Sequence, residues 1–251
     1  MFLILFFLFW PQKLSDSALK DEFIVWNVGQ GQWTTWIHNL TCHHFDMGGE
    51  RNPTKIVLKK CSGLKNEIYI SHWDTDHFSF LPSYTRALSE SCIHPPFFGS
   101  IPQRLSKTLE NLKTCVGLDS QIEQVFEGRP TKSQGTQQIK NPNSQVFLIK
   151  KAGILIPGDS TQAEEKLWIP RIQPLKGALK YDLKGWILGH HGSRSSTSLN
   201  SISHFSKIGW AVVSSRFKKY KHPHEKVVKL LNLKHIPLLK TEDWGHLHFL
   251  L

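Results

Sequence analysis

The chain is short of acid. Twenty Asp and Glu stand against 31 Lys and Arg, leaving a formal charge of +11 at pH 7 with His neutral. Such a balance favours an anionic partner such as nucleic acid, anionic lipid or a phosphorylated polymer, although a plain solubility surface gives the same sum. No C-x-x-C occurs among Cys42, Cys61, Cys92 and Cys115, which argues against a structural zinc knuckle. Two disulfides in an exported protein, or four small buried hydrophobes in a cytosolic one, both stay open. A bilayer-spanning run is missing too: the opening "MFLILFFLFW" has ten apolar residues, too few to cross and closer to a signal-peptide core. It has no basic flank before it and no A-x-A site after it, so the stub of a longer membrane segment is equally open. Both readings put the start at a membrane and predict a cell-surface or periplasmic location, membrane-associated or exported. Residues 1–17 are therefore set apart from a domain over 18–251. The 251 residues can bury a sizeable core, and they show no internal repeat and no low-complexity linker.

Histidine is what the chain has in quantity. There are 14, several in short clusters, as in His43-His44 and His190-His191. From Asp21 onward the pattern is mostly strands and turns. "EFIVWNV" and "WTTWIH" flank Gly29-Gln30-Gly31, a strand ends at "HFDMGG", and "NEIYI" leads into "SHWDTDH". Apolar spacing predicts helices over 81–91 and 103–115, and 128–143 reads as a polar loop. "SQVFLI" and "GILIPGD" read as a hairpin, and "GWILGHH" and "IGWAVVSS" as strands. A helix is expected from His222 to about Leu231, with Pro223 near its start, and a final hairpin about Asp243-Trp244-Gly245. Strands that need helices on their outer faces predict a layered α/β domain.

Four strands end in the same kind of residue: Asp46, the cluster His72-x-Asp74-x-Asp76-His77, Asp159 and His190. A strand end is a rigid place from which to project a ligand, and imidazole with carboxylate suits zinc, manganese or iron. Taken singly, Asp159 in "PGDS" is an ordinary turn residue and a His pair an ordinary surface feature. Taken together and in this order, the four point to a two-metal site.

That order resembles the metallo-β-lactamase superfamily, whose H-x-[HD]-x-D-H motif is similar to "SHWDTDH". More narrowly, "VGQGQ", "FDMGG", "NPNSQVFLI", "IPGDS", "GHHGSRSSTS" and "HPHEKVV" resemble the extracytoplasmic nuclease domain of ComEC-type DNA-uptake proteins, from about Phe23 to Leu251. The resemblance implies an α/β fold, the metallo-β-lactamase αββα four-layer sandwich, and two divalent ions, Zn²⁺ or Mn²⁺, with no organic cofactor. It implies that His72 and Asp74 hold one ion, that Asp76, His77 and His190 hold the other, and that Asp159 bridges them. Asp46 would orient the histidines. Asn143 stands where many members carry a further histidine, which would leave one ion short of a ligand. Two departures stand out: the usual "DVGQGD" is "NVGQGQ", with Asn27 and Gln32 in place of acids, and the glycines usual after His77 are absent from "DHFSF".

The activity implied is hydrolysis of a phosphodiester, with the ions activating a water and clamping a phosphate oxygen. Asp76, Asp159 and His191 are the expected catalytic groups, His191 as a leaving-group acid or a residue that only packs. Ser193, Arg194, Ser195, Ser196 and His222 are candidates to cradle a phosphate. "RFKKYKH" offers Arg216, Lys218, Lys219, Tyr220 and Lys221 to DNA, with little sequence specificity expected. A membrane DNA-uptake channel is the further partner implied. A hydrolase of another ester (an envelope phosphodiester or a lactone) and a DNA-binding module with a decayed site are the alternatives.

Overall fold

Strand residues alternate between two faces, and here most strands bury both, so each sheet needs a cover on either side. The computed structural model, which describes residues 21–88, 90–128, 144–172, 182–205 and 208–251, meets that need with two sheets packed face to face. The first sheet takes β1 (Glu22–Val25), β2 (Thr34–His38), β3 (Thr41–Phe45), β4 (Lys65–Tyr69), β5 (Ser91–His94) and β6 (Lys113–Thr114) in chain order. The second takes β7 (Ile122–Phe126), β8 (Val146–Ile149), β9 (Ile154–Ile156), β10 (Gly185–Ile187), β11 (Trp210–Val213) and β12 (Leu238–Lys240). Each sheet starts antiparallel and becomes parallel, from β3 onward in the first and from β9 onward in the second. Helices α1 (Thr54–Cys61), α2 (Thr75–Phe78), α3 (Leu81–Thr85) and α4 (Ser106–Glu110) lie among the strands of the first sheet. Helices α5 (Gln162–Ile172), α6 (Leu199–His204), α7 (Phe217–Tyr220), α8 (Glu225–Leu233) and α9 (Thr241–Trp244) belong to the second half.

Three cores follow from the alternation. Phe23, Val25, Trp36 and Tyr69 of the first sheet meet Phe147, Ile149, Ile156 and Val212 of the second. Their sequence neighbours point outward: Ile24 and Ile68 join Val57 of α1 and Leu81 and Tyr84 of α3, while Leu148 and Trp186 join Trp168 of α5, Ile202 of α6 and Leu231 of α8. The layers are therefore αββα, as the resemblance implies.

The structure corrects four sequence expectations. The helix expected over 81–91 ends at Thr85, and Ser91 opens β5, because pairing of Asn66 with Ser91 and of Glu67 with Cys92 overrides the helical spacing. The helix expected over 103–115 is a short turn and α4, and the chain then extends into β6 beside β5. The helix expected from His222, α8, starts at Glu225 with His224 as its cap, the His224 side chain accepting from the Lys226 amide, so His222 lies outside it. The final hairpin does not form: β12 runs parallel to β11 in one sheet, whereas β13 (Leu247–Leu250) pairs with β1 in the other, and α9 carries the chain across. All four cysteines are paired, Cys42 with Cys61 and Cys92 with Cys115. Residues 1–17 and most of the 128–143 loop lie outside the described residues.

Under the first sheet His44 is fully buried in a polar knot. The Trp33 indole, a donor only, gives its N–H to His44 Nδ1 at 3.3 Å, so Nε2 carries the proton and donates to Asn66 Oδ1 at 3.0 Å. Burial holds the His44 pKa at about 3. The unfolded chain takes up this proton near the ordinary value of 6.5, so between those limits the unfolded state binds more protons and acid weakens the fold. At pH 5 the loss from this group is about 2 kcal/mol. The direct check is NMR titration of the His44 imidazole: it should stay neutral at pH 5, and protonation near pH 6.5 would contradict this reading.

Candidate metal centre

The site is built where the carboxyl ends of neighbouring parallel strands come together. β3 and β4 deliver Asp46 and the 71–77 segment from one sheet; β9 and β10 deliver Asp159 and the 189–192 turn from the other. Two close approaches bring the loops into register. Gly48 and Gly31 have no room for a side chain: a Cβ at Gly48 would sit 2.4 Å from the Asp76 carbonyl carbon, and one at Gly31 2.3 Å from Gly49 Cα. In return Gln32 N donates to Asp76 O at 3.0 Å and Met47 N to His77 O at 2.7 Å.

Asp159 is the hub. Its Oδ1 lies 3.1 Å from His77 Nε2 and 3.8 Å from His191 Nε2, and its Oδ2 3.8 Å from His72 Nε2 and 3.6 Å from His190 Nε2. Asp76 Oδ2 is 3.2 Å from His191 Nε2, and Asp74 Oδ2 3.6 Å from His72 Nε2. Two triads can each offer donor atoms to one ion: His72, His77 and Asp159; and Asp76, His77 and His191. Most of this cluster is buried, and it reaches solvent through Asp74, Asp76 and His190, whose side chains are 35%, 37% and 26% exposed.

The histidines face this centre because their other ring nitrogens are committed elsewhere. His77 Nδ1 donates to Asp46 Oδ2 at 2.7 Å, His191 Nδ1 to the Ser214 carbonyl at 3.1 Å, and His72 Nδ1 to the Ser71 hydroxyl at 3.0 Å, which itself donates to Asp46. The Nε2 atoms of His72 and His77 are buried and make no hydrogen bond. An imidazole held by Nδ1–H with a buried, unbonded Nε2 is the arrangement of a metal ligand, so the residues present fit divalent ions. Burial disfavours charge on His77, yet Asp159 and Asp46 on its two sides hold its pKa well above the ordinary value. Burial likewise opposes the Asp159 carboxylate, and His77 and His191 hold it well below. Three of these residues also adopt left-handed backbone, Asp46 (φ 57°), His190 (φ 48°) and His191 (φ 52°). That conformation costs about 1–2 kcal/mol per non-glycine residue and collects at functional sites.

The structure places the remaining candidates as follows. His191, not His190, shares a triad with Asp76 and His77, because two successive left-handed residues place His191 inward against Asp76 and leave His190 at the rim. Ser193 and Ser196 are buried, and Ser196 donates to the Gly189 carbonyl, so they brace the turn; Arg194 and Ser195 are exposed. His222 accepts from Gln30 Nε2 at 3.3 Å and lies 6.1 Å from the His190 ring; burial and the two nearby histidines lower its pKa to about 4. Arg216 and Lys219 pair with Glu50 at 2.9 and 2.7 Å, and Tyr220 donates to it at 2.8 Å; only Lys218 and Lys221 of the basic run face solvent unpaired among the described residues. Asn143 lies outside the described residues.

Several working residues escaped the sequence reading. Ser144 accepts from the Asp159 amide at 2.9 Å. Gln32 donates to Asp46 Oδ2 at 3.0 Å, so this departure supplies a donor where an acid would repel. Ser79, where a glycine is usual, accepts from Gly49 N at 3.0 Å. Glu165 is buried and accepts from the backbone amides of Thr197 and Ser198 at 2.6 and 2.9 Å, tying α5 to the serine loop. Glu165→Ala should cost about 2–3 kcal/mol of stability and raise amide exchange at Thr197 and Ser198; unchanged protection there would contradict the role. The trio Cys42, His44 and Cys61 also clusters, but its sulfurs are bonded to each other and both His44 nitrogens are hydrogen-bonded.

No protein-family model matches the chain. A stretch of 112 residues, 44% of the chain, is 32% identical to "ComE operon protein 3" of Bacillus subtilis strain 168 and spans 14% of that protein's length. Among solved structures, the metallo-β-lactamase fold protein YhfI from Bacillus subtilis is similar over 92% of this chain and 99% of its own, with a TM-score of 0.54 at 10% identity. Igni18, a metallo hydrolase from Ignicoccus hospitalis, is similar over 91% and 98%, with a TM-score of 0.53 at 12% identity. A diphosphatase of the PhnP family is similar over 92% and 97%, with a TM-score of 0.51 at 12% identity. The chain has the metallo-β-lactamase fold, with a His/Asp cluster at the ends of its central strands.

Proposed function

We propose that this chain is a metal-dependent phosphodiesterase that cuts DNA. The observation that carries the hydrolase reading is the Asp159 hub, where the Nε2 atoms of four histidines lie within 3.8 Å of one carboxylate. Asp76, His77 and His191 with Asp159 Oδ1 would hold one ion, and His72, Asp74 and His190 with Asp159 Oδ2 the other. His190 would thus supply the donor that the sequence pattern leaves short. Zn²⁺ or Mn²⁺, when bound, supplies Lewis-acid activation of water and of the phosphate oxygen. Around the ions, Asp46 and the Ser214 carbonyl hold the His77 and His191 rings in place. His222, beside His190, accepts from Gln30 at Nδ1 and so carries its proton on Nε2, where it would donate a hydrogen bond to a phosphate or departing oxygen at the rim. Arg194 and Ser195 are exposed, Ser195 with its hydroxyl 3.3 Å from His190 Nδ1, and would receive a phosphate there.

DNA as the substrate rests on the net charge of +11, on the motifs quoted above and on the partial likeness to "ComE operon protein 3". A membrane DNA-uptake channel is the partner in this reading. A position at the cell surface or in the periplasm fits the apolar start and the pairing of all four cysteines. No helix among the described residues is long and apolar enough to cross a membrane.

The test is cleavage of single- and double-stranded DNA after EDTA treatment and re-addition of Mn²⁺, Zn²⁺ or Mg²⁺, beside Asp76→Ala. Metal-restored cutting that the variant lacks is expected. Hydrolysis of a small phosphodiester without DNA cutting would move the substrate away from nucleic acid, and bound DNA with no hydrolysis of either would mark a decayed site.

A further inference from the structure

Positive charge without a partner collects away from the basic run. A cavity of about 560 Å³ opens between α3, α4 and β6, with Arg86, Arg104, Lys107 and Lys113 in its wall, Leu88 and Leu112 among its apolar contacts, and no carboxylate in its lining. None of the four cations forms an ion pair among the described residues. The contrast with Glu50 is sharp. That carboxylate takes Arg216, Lys219 and Tyr220 together, and their bonds outweigh burial to hold its pKa at about 2. The segment whose composition suggests DNA contact is thus partly neutralised, while the α3–α4 cavity is not.

The cavity also touches the metal motif. Arg104 donates to the Thr75 hydroxyl and lies over the Phe78 ring, 4.7 Å from its centre. Thr75 stands between Asp74 and Asp76, and Phe78 follows His77. Helix α2 therefore carries metal-facing side chains and, in the same turn, the residues that seat one of the four cations. Uncompensated like charges around a concave wall repel one another and favour a ligand with several negative charges. The lining has hydroxyls and an amide but no aromatic ring, which suits backbone phosphates rather than stacked bases.

We propose that the α3–α4 cavity binds the phosphodiester backbone of a single nucleic-acid strand that continues past Arg104 and α2 toward the Asp159 centre. This rests on the nuclease reading above and adds the path of the strand. Lys107 and Lys113 are exposed, so Lys107→Glu with Lys113→Glu should leave the fold intact.

The experiment uses the whole chain and a labelled 20-nucleotide oligothymidylate. Binding is followed in EDTA over a range of salt, and hydrolysis of bis(p-nitrophenyl) phosphate is followed with metal. The variant should bind the strand at least tenfold more weakly. Its salt slope should be shallower by about 1.4, two contacts at about 0.7 each, and small-diester hydrolysis should stay within twofold. A control of equal charge change, Lys218→Glu with Lys221→Glu, should weaken binding less. Unchanged strand affinity in the first variant, or equal losses in both, would overturn the cavity assignment. So would competition by polyphosphate as strong, per charge, as by the oligonucleotide. Failure of the wild type to cut DNA would count against the nuclease reading alone, since the binding arm is measured without turnover.

Discussion

Asp159→Asn is expected to lower metal-dependent hydrolysis by about 10³-fold, the upper range for losing one preorganised charge at a reacting centre. The replacement keeps shape and removes the negative charge that four histidine Nε2 atoms face, so the fold should survive while bound ions would lose a carboxylate ligand. Hydrolysis of a small phosphodiester by metal-loaded protein, with unfolding in urea as the control, separates the two effects. Activity within tenfold of wild type would contradict the central place given to Asp159.

Asp46→Ala should damage both the fold and the site. Asp46 is 1% exposed and accepts from Ser71 N at 2.7 Å, Ser71 Oγ at 2.8 Å, His77 Nδ1 at 2.7 Å and Gln32 Nε2 at 3.0 Å. Its loss strands these donors in the interior and removes a counter-charge from His77. A stability loss of about 3–5 kcal/mol is expected, with metal affinity lower by about 10- to 100-fold. Asp46→Asn keeps the volume and some acceptor capacity, so it should recover most of the stability and little of the affinity. Urea midpoints and a metal titration on both variants check this; wild-type affinity in Asp46→Asn would show that the His77 ring needs no carboxylate to orient it.

Much of this site was legible in the sequence because it is built on strand ends. A β-rich run followed at once by Asp or His tells where the chain emerges from a sheet, and Asp46, His72, Asp159 and His190 all follow such runs. The sequence does not tell which sheet a strand joins: "IPLLK" and "HLHFL" look like one hairpin, yet they lie in different sheets, because pairing partners are set by packing far along the chain. Nor does it tell which of two adjacent histidines turns inward, since that depends on two left-handed residues in succession. The roles of Ser144, Gln32 and Glu165 were hidden for the same reason: each acts on backbone or side chains 14 to 33 residues away. Composition does not show that a single glutamate outside "RFKKYKH", Glu50, takes up three of its polar groups.

The central claim is that the Asp159 cluster holds divalent ions, and metal content tests it most directly. The chain would be stripped with chelator, loaded with Zn²⁺ or Mn²⁺, freed of unbound ion and assayed by elemental analysis beside Asp159→Asn. The account predicts two ions per wild-type chain and fewer in the variant. Wild-type protein that is folded and retains no ion under either loading would contradict it.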